Sequence, residues 1–188
     1  QTAAISKHTN AFKINEDVVI PLNRMGEYTD GIERINIELS IQNKLHCIEQ
    51  LQAFISRDNL PLGKSEDLEG DAIPAEELLG DRVTQASHLL KNIHARWTYL
   101  LNHLDQPLMQ AQDQLILHGL DKLTFVFEER LKHQADVTVF ALVQDRTIRV
   151  SWKTEVRLVL RHIFNGAAFK LILDECTDIH KKILRSRV

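Results

Sequence analysis

Glycine is scarce in this chain, seven residues among 188, and none falls in a Gly-x-Gly-x-x-Gly or phosphate-loop pattern. That removes the usual sequence basis for cradling a nucleotide phosphate. No serine sits in a Gly-x-Ser-x-Gly elbow, and no His-Glu-x-x-His or Cys-x-x-Cys string occurs, so hydrolase and zinc signatures are missing too. The two cysteines, Cys47 and Cys176, lie far apart inside helical patterns. They read as reduced, buried thiols rather than a disulfide, which implies a cytosolic setting. No apolar run is long enough to span a bilayer, and no charged-then-apolar leader opens the chain. A net charge of −3 argues against a surface built to bind nucleic acid.

What is there is ordinary globular material, 44% apolar and 26% charged. After a polar stretch over 1–12, Ile14 to Ile20 holds the β-branched run Val18-Val19-Ile20 and stops at Pro21. That pattern predicts a strand over 14–20. Asn23-Arg24-Met25-Gly26 reads as a turn, and Thr29 or Asp30 as the cap of a long helix reaching about Arg57. Ile37, Ile41, Leu45, Ile48 and Ile55 form its buried stripe, widened by Ile35, Leu39, Leu51 and Phe54.

Residues 58–73, punctuated by Pro61, Gly63 and Gly70 and rich in Glu66, Asp67, Glu69 and Asp71, read as an exposed, flexible acidic loop. They lack the alternating carboxylates and closing glutamate of a calcium loop. A second helix should begin near Pro74 and end before Pro107, with Val83, Leu89, Leu90, Ile93, Trp97, Leu100, Leu101 and Leu104 inward. A third should follow to Lys132 on Leu108, Leu115, Leu117, Leu120, Leu123, Val126 and Phe127. Residues 137–152 fit helix and strand alike, with one short extended piece over 147–151. Two helices close the chain. The first is capped by Thr154 and carries Val156, Leu158, Val159, Leu160 and Ile163; the second follows Asn165-Gly166 to about Arg187 on Phe169, Ile172, Leu173, Cys176, Ile179 and Ile183.

The fold class is therefore mainly all-α, an antiparallel bundle of about five long helices with an N-terminal strand and little other β. An isolated strand is not stable, and Gln1 opens the sequence while a helical pattern still runs at Val188. Both lead to the expectation of a piece cut from a longer protein.

Nine histidines raise the question of metal. Cys176 and His180, four apart, share a helix face, but two ligands make no site. His46 and Cys47 are adjacent and diverge, and His88, His94 and His103 fall on different sides of the second helix. Trp97, Trp152, Phe125, Phe127 and Phe140 are not interleaved with basic residues, so they read as core rather than a base-stacking platform. Lys181, Lys182, Arg185 and Arg187 suit the negative end of a helix dipole. No catalytic residue and no metal site is assigned.

One string has a family wording. His8-Thr9-Asn10-Ala11-Phe12-Lys13-Ile14-Asn15, followed by Glu16-Asp17-Val18-Val19-Ile20-Pro21, resembles the passage by which FAD-linked oxidases of the glycolate oxidase and D-lactate dehydrogenase type leave the FAD domain and enter the substrate domain. The resemblance covers roughly 8–25. Asp145 to Lys153 and Ile179 to Val188 resemble the run-up to that family's substrate-domain strand. Residues 56–145 resemble a helical insert of unknown function in large bacterial members. The family's histidine-rich motif and FAD-binding loops are absent, and Asn15 stands where some relatives place a lysine near the substrate.

The resemblance implies residues 1–28 as the junction segment and 29–188 as a helical domain. It implies FAD in the parent protein but not in this piece, and hydride transfer from a 2-hydroxy acid to the flavin. The partners implied are the remaining FAD-binding and substrate domains and an iron–sulfur electron-transfer module. The location is cytoplasmic or peripheral at the inner face of the membrane. The piece itself is then a non-catalytic docking or structural module. The alternative is a free-standing helical interaction domain unrelated to flavin enzymes.

Overall fold

Pro21, with φ −56°, opens the first described element, a 3-10 turn over Leu22–Arg24 in which the Arg24 N–H donates to the Pro21 carbonyl at 2.8 Å. The structure is a computed structural model, and it describes residues 19–56, 75–164 and 166–186. The chain divides into two compact units, Gln1–Asn36 and Ile37–Val188. The turn runs into α1, Met25–Ile55, so the expected turn at 23–26 is already helical by Met25. Thr29 does not cap this helix: its hydroxyl donates back to the Met25 carbonyl at 2.9 Å, a bond made inside a helix.

Helices α2, Ala75–Asn102, α3, Leu108–Leu115, α4, Thr124–His133, α5, Val139–Gln144, α6, Trp152–Ile163, and α7, Gly166–Ser186, complete the regular structure. Among the described residues there is no strand, and the only β-type pairing is a single antiparallel bridge, Pro107 to Thr138. The N-terminal strand of the expected fold class is thus a correction. Val19, Ile20 and Pro21 end the predicted strand without a ladder partner, and a lone strand has nothing to satisfy its amides. Residues 14–18 lie outside the described residues, as does the acidic loop at 58–73. The ambiguous stretch 137–152 resolves to helix over 139–144, with 147–151 irregular rather than strand.

Within the second unit, one core joins Ile41, Ile48, Leu51 and Ile55 of α1 to Leu90, Ile93, Trp97 and Leu100 of α2. Phe127, Leu142, Val156, Leu160, Ile172 and Cys176 from the later helices complete it. α2 packs on α6, α3 on α4, and α6 on α7. Leu104–Leu108 is clipped to 137–140 by three backbone bonds. The Leu108 N–H donates to the Val137 carbonyl at 2.7 Å, the Val139 N–H to Gln106 at 3.0 Å, and the Phe140 N–H to Leu104 at 2.8 Å. Thr138 also caps α5, its hydroxyl accepting from the Ala141 N–H at 3.3 Å.

The single helix expected over 108–132 is broken. A π turn, Ile116–Leu120, contains Gly119 at φ 96°, and a 3-10 turn, Asp121–Leu123, follows. The inward series expected across the break does not hold: Leu117, inside the π turn, is 76% exposed and Val126 beyond it is also exposed, whereas Phe127 is buried. A Cβ at Gly119 would sit 2.6 Å from Arg96 Nη2. Gly119→Ala therefore faces both a left-handed backbone and a displaced guanidinium that holds two other partners. We expect a loss of about 2–4 kcal/mol in urea unfolding followed by far-UV circular dichroism.

Candidate functional site

The most concentrated polar chemistry among the described residues gathers at Glu155, in the first turn of α6. Its Oε1 accepts from Arg96 Nη1 and its Oε2 from Lys44 Nζ and, at 2.8 Å, from the Trp97 indole N–H. Arg96 Nε donates to the carbonyl of His118 at 2.6 Å, which ties α2 to the π turn. Lys44 Nζ also lies 3.8 Å from the centre of the Trp97 ring, in cation–π geometry. The sequence places these groups simply. Arg96 and Trp97 are neighbours on α2, and Lys44 falls three residues after Ile41 and four before Ile48. It therefore shares the buried stripe of α1 and is 2% exposed.

Burial pulls the Lys44 ammonium down to about 8, against the opposing pull of Glu155 and with a smaller push from Arg96. The native state thus releases this proton near pH 8, whereas the unfolded chain holds it to about 10.5. Between those values the unfolded state binds the extra proton, so Lys44's contribution to stability rises as pH rises. The penalty relieved is on the order of 3 kcal/mol. Subtracting unfolding free energies of Lys44→Met from wild type at pH 7, 8, 9 and 10 isolates it. The difference should move in favour of wild type across that series, and a flat difference would contradict the assignment.

Chemically the cluster is a clamp. Glu155 receives three donors, so it has no idle oxygen to act as a base, and the Lys44 amine is enclosed. Beside it lies an open hollow of about 270 Å³ lined by Trp97, Leu120, Leu123, Ile148, Arg149 and Glu155. Pockets that enclose small ligands run from about 300 Å³ upward and are largely closed.

The histidines singled out in the sequence do not converge. His46 sits 3.4 Å from the Gln50 amide and His88 3.4 Å from Asn92, His94 Nε2 meets Glu49 at 2.9 Å, and His103 Nδ1 bonds the Tyr99 carbonyl at 2.7 Å. Both cysteines are buried and free. Burial raises the Cys47 thiol to about 11; burial, then the charges of Cys47 and Glu175, raise Cys176 to about 12. Cys176 is thus a poor thiolate donor to pair with His180. No group of three His, Cys, Asp or Glu side chains among the described residues could hold a metal ion. Trp97 and Phe127 are core, Phe140 is half-buried, and Phe125 is 70% exposed. The side chains of Trp152 and Arg187 lie outside the described residues. Lys181, Lys182 and Arg185 are exposed at the end of α7.

A second feature belongs to the first unit. None of residues 19–36 is buried, although they carry Val19, Leu22, Met25, Tyr28, Ile32 and Ile35. All six are exposed, from 38% at Tyr28 to 91% at Val19 and Leu22. Ile35, and Leu39 after it, were expected on the buried stripe of α1 and are instead in water. Sequence reasoning carried the buried stripe too far toward the N-terminus, because isoleucine and leucine continue there at helical spacing.

No protein-family model, no curated protein and no solved structure matches this chain. The resemblance to FAD-linked oxidases is therefore corrected: no homology supports it. The described residues also contain neither the exit strand nor any sheet on which such an enzyme holds flavin. The flavoprotein and oxidoreductase reading, the FAD cofactor and the 2-hydroxy-acid chemistry fall with it. Among the described residues no helix is long and apolar enough to cross a membrane.

Proposed function

We propose that the protein is a helical interaction module that works by docking rather than by chemistry. The observation that carries this reading is the exposed apolar character of the first unit: six large side chains in water within residues 19–35, four of them on α1. Exposed apolar surface of that extent marks a surface awaiting cover. The Glu155 cluster supports the reading from the other side. Its donors and acceptors are spent on one another, joining α1, α2, α6 and the π turn rather than facing a substrate.

The test is site-specific photo-cross-linking in cells that make the protein. A benzophenone side chain replaces Ile35 in one experiment and the exposed Lys122 in another. A discrete adduct from position 35, with none from 122, is the expected result. The same smear from both positions, or no adduct from either, overturns the docking reading.

A further inference from the structure

Beside the Glu155 hollow the chain leaves both backbone and charge unspent. Exposure alternates along the irregular stretch 147–151: Ile148 is 2% exposed, Arg149 is exposed, Val150 is half-buried and Ser151 is exposed. That is the two-residue period of a strand edge, yet no strand among the described residues pairs with it. The Ile148 N–H donates to the Leu142 carbonyl at 3.0 Å, whereas the backbone N–H and C=O groups of Arg149 and Val150 have no partner among the described residues. Trp97, Leu120, Leu123 and Ile148 give the adjoining hollow an apolar floor. Open and about 270 Å³ in volume, it has room for one protruding side chain rather than for a whole small molecule.

The charge around this edge has one sign. From 146 to 161 the sequence holds Arg146, Arg149, Lys153, Arg157 and Arg161 against a single carboxylate, Glu155. Glu155 is spent on Lys44, Arg96 and Trp97, and Asp145 just before the stretch is spent on Arg130 at 2.7 Å. Arg146, Arg149, Arg157 and Arg161 are all exposed, and none meets a carboxylate among the described residues.

We propose that this edge docks an extended acidic segment of a partner protein. The segment pairs its backbone with Arg149 and Val150, sets an apolar side chain in the hollow and brings carboxylates to the arginines. A nucleic acid would satisfy the charge but has no amide ladder to offer, and Trp97, the aromatic in the lining, is 1% exposed and cannot stack on a base. This docking surface belongs to the second unit alone and is independent of the exposed side chains of residues 19–35.

Nitrogen–proton NMR of the full chain tests it, with a capped six-residue peptide alternating leucine and glutamate as the probe. The amides of Arg149 and Val150 and the indole N–H of Trp97 should shift in a saturable way. Lysine in place of glutamate in the peptide, or methylation of its amide nitrogens, should abolish the shifts. Arg149→Glu should weaken binding by about 10-fold or more with an unchanged melting curve, since the residue is exposed. The proposal is overturned if the probe leaves the three signals unmoved up to millimolar concentration, or if the methylated peptide or Arg149→Glu binds as wild type does. It is equally overturned if hexanoate or a short single-stranded oligonucleotide moves the same signals as strongly, which would make the site one for a simple amphiphile or for phosphates. The position-35 cross-link reports on the first unit only, so either reading can fail without the other.

Discussion

Glu155→Ala is expected to lower the unfolding free energy by about 3–5 kcal/mol. The residue gathers Lys44, Arg96 and Trp97 onto one carboxylate. Removing it strands Lys44, whose side chain is 1% exposed and cannot reach water for compensation. Arg96 suffers less, because it keeps the His118 carbonyl and is 17% exposed. The loss is therefore mostly the cost of an uncompensated buried ammonium, and that makes it partly reversible. Lys44→Met added to Glu155→Ala should recover about half or more, since a methionine fills the same slot without a charge. Lys44→Met alone should be nearly neutral at pH 7, where Glu155 retains two donors, and should fall behind wild type as pH rises. Urea unfolding of the three variants by far-UV circular dichroism reads all of this. A double variant no more stable than Glu155→Ala would show that the damage lies elsewhere than in the stranded charge.

Trp97→Ala should cost a similar or greater amount, about 3–5 kcal/mol or more. Its ring is 1% exposed and serves three purposes at once. It fills the space between α2 and its neighbours, donates its N–H to Glu155, and presents its face to Lys44. Trp97→Phe separates these roles. It keeps an aromatic face and most of the volume but loses the donor, so about 1–3 kcal/mol should go. If phenylalanine proves as damaging as alanine, the indole hydrogen bond outweighs packing at this position. If it is neutral, Glu155 is satisfied by its two cations alone.

Most of the helical architecture was legible because apolar spacing and proline punctuation carry it. The break between α2 and α3 falls where Pro107 predicts, and Leu90, Ile93, Trp97, Leu100 and Leu104 are inward as their spacing requires. Gly119 was not legible as a break. A glycine inside a helical pattern gives no sign of its φ, and the leucines around it continue the expected period. Nor was the clamp read. Lys44 continues the series Ile41, Ile48, Leu51 and Ile55 at steps of three and four, which marks it as buried. A lysine in an apolar series is nevertheless easily passed over as a solvated charge, and its partner lies 111 positions away. Spacing along one helix cannot announce a contact at that separation. Thr154 was misread as a cap because the helix begins earlier, at Trp152, with Ser151 at the N-cap position and no side-chain cap bond.

The backbone clip between 104–108 and 137–140 bears on the order in which the chain folds. It ties off a loop of about thirty residues, whose closure costs roughly 3 kcal/mol of chain entropy. Once closed, α3 and α4 meet inside it as near neighbours. Closure comes late unless Val137, Val139 and Leu142, all buried, collapse with Leu104 and Leu108 at the same time. The amides of Leu108, Val139 and Phe140 should therefore exchange with solvent together, at one common rate, because opening the clip frees all three at once.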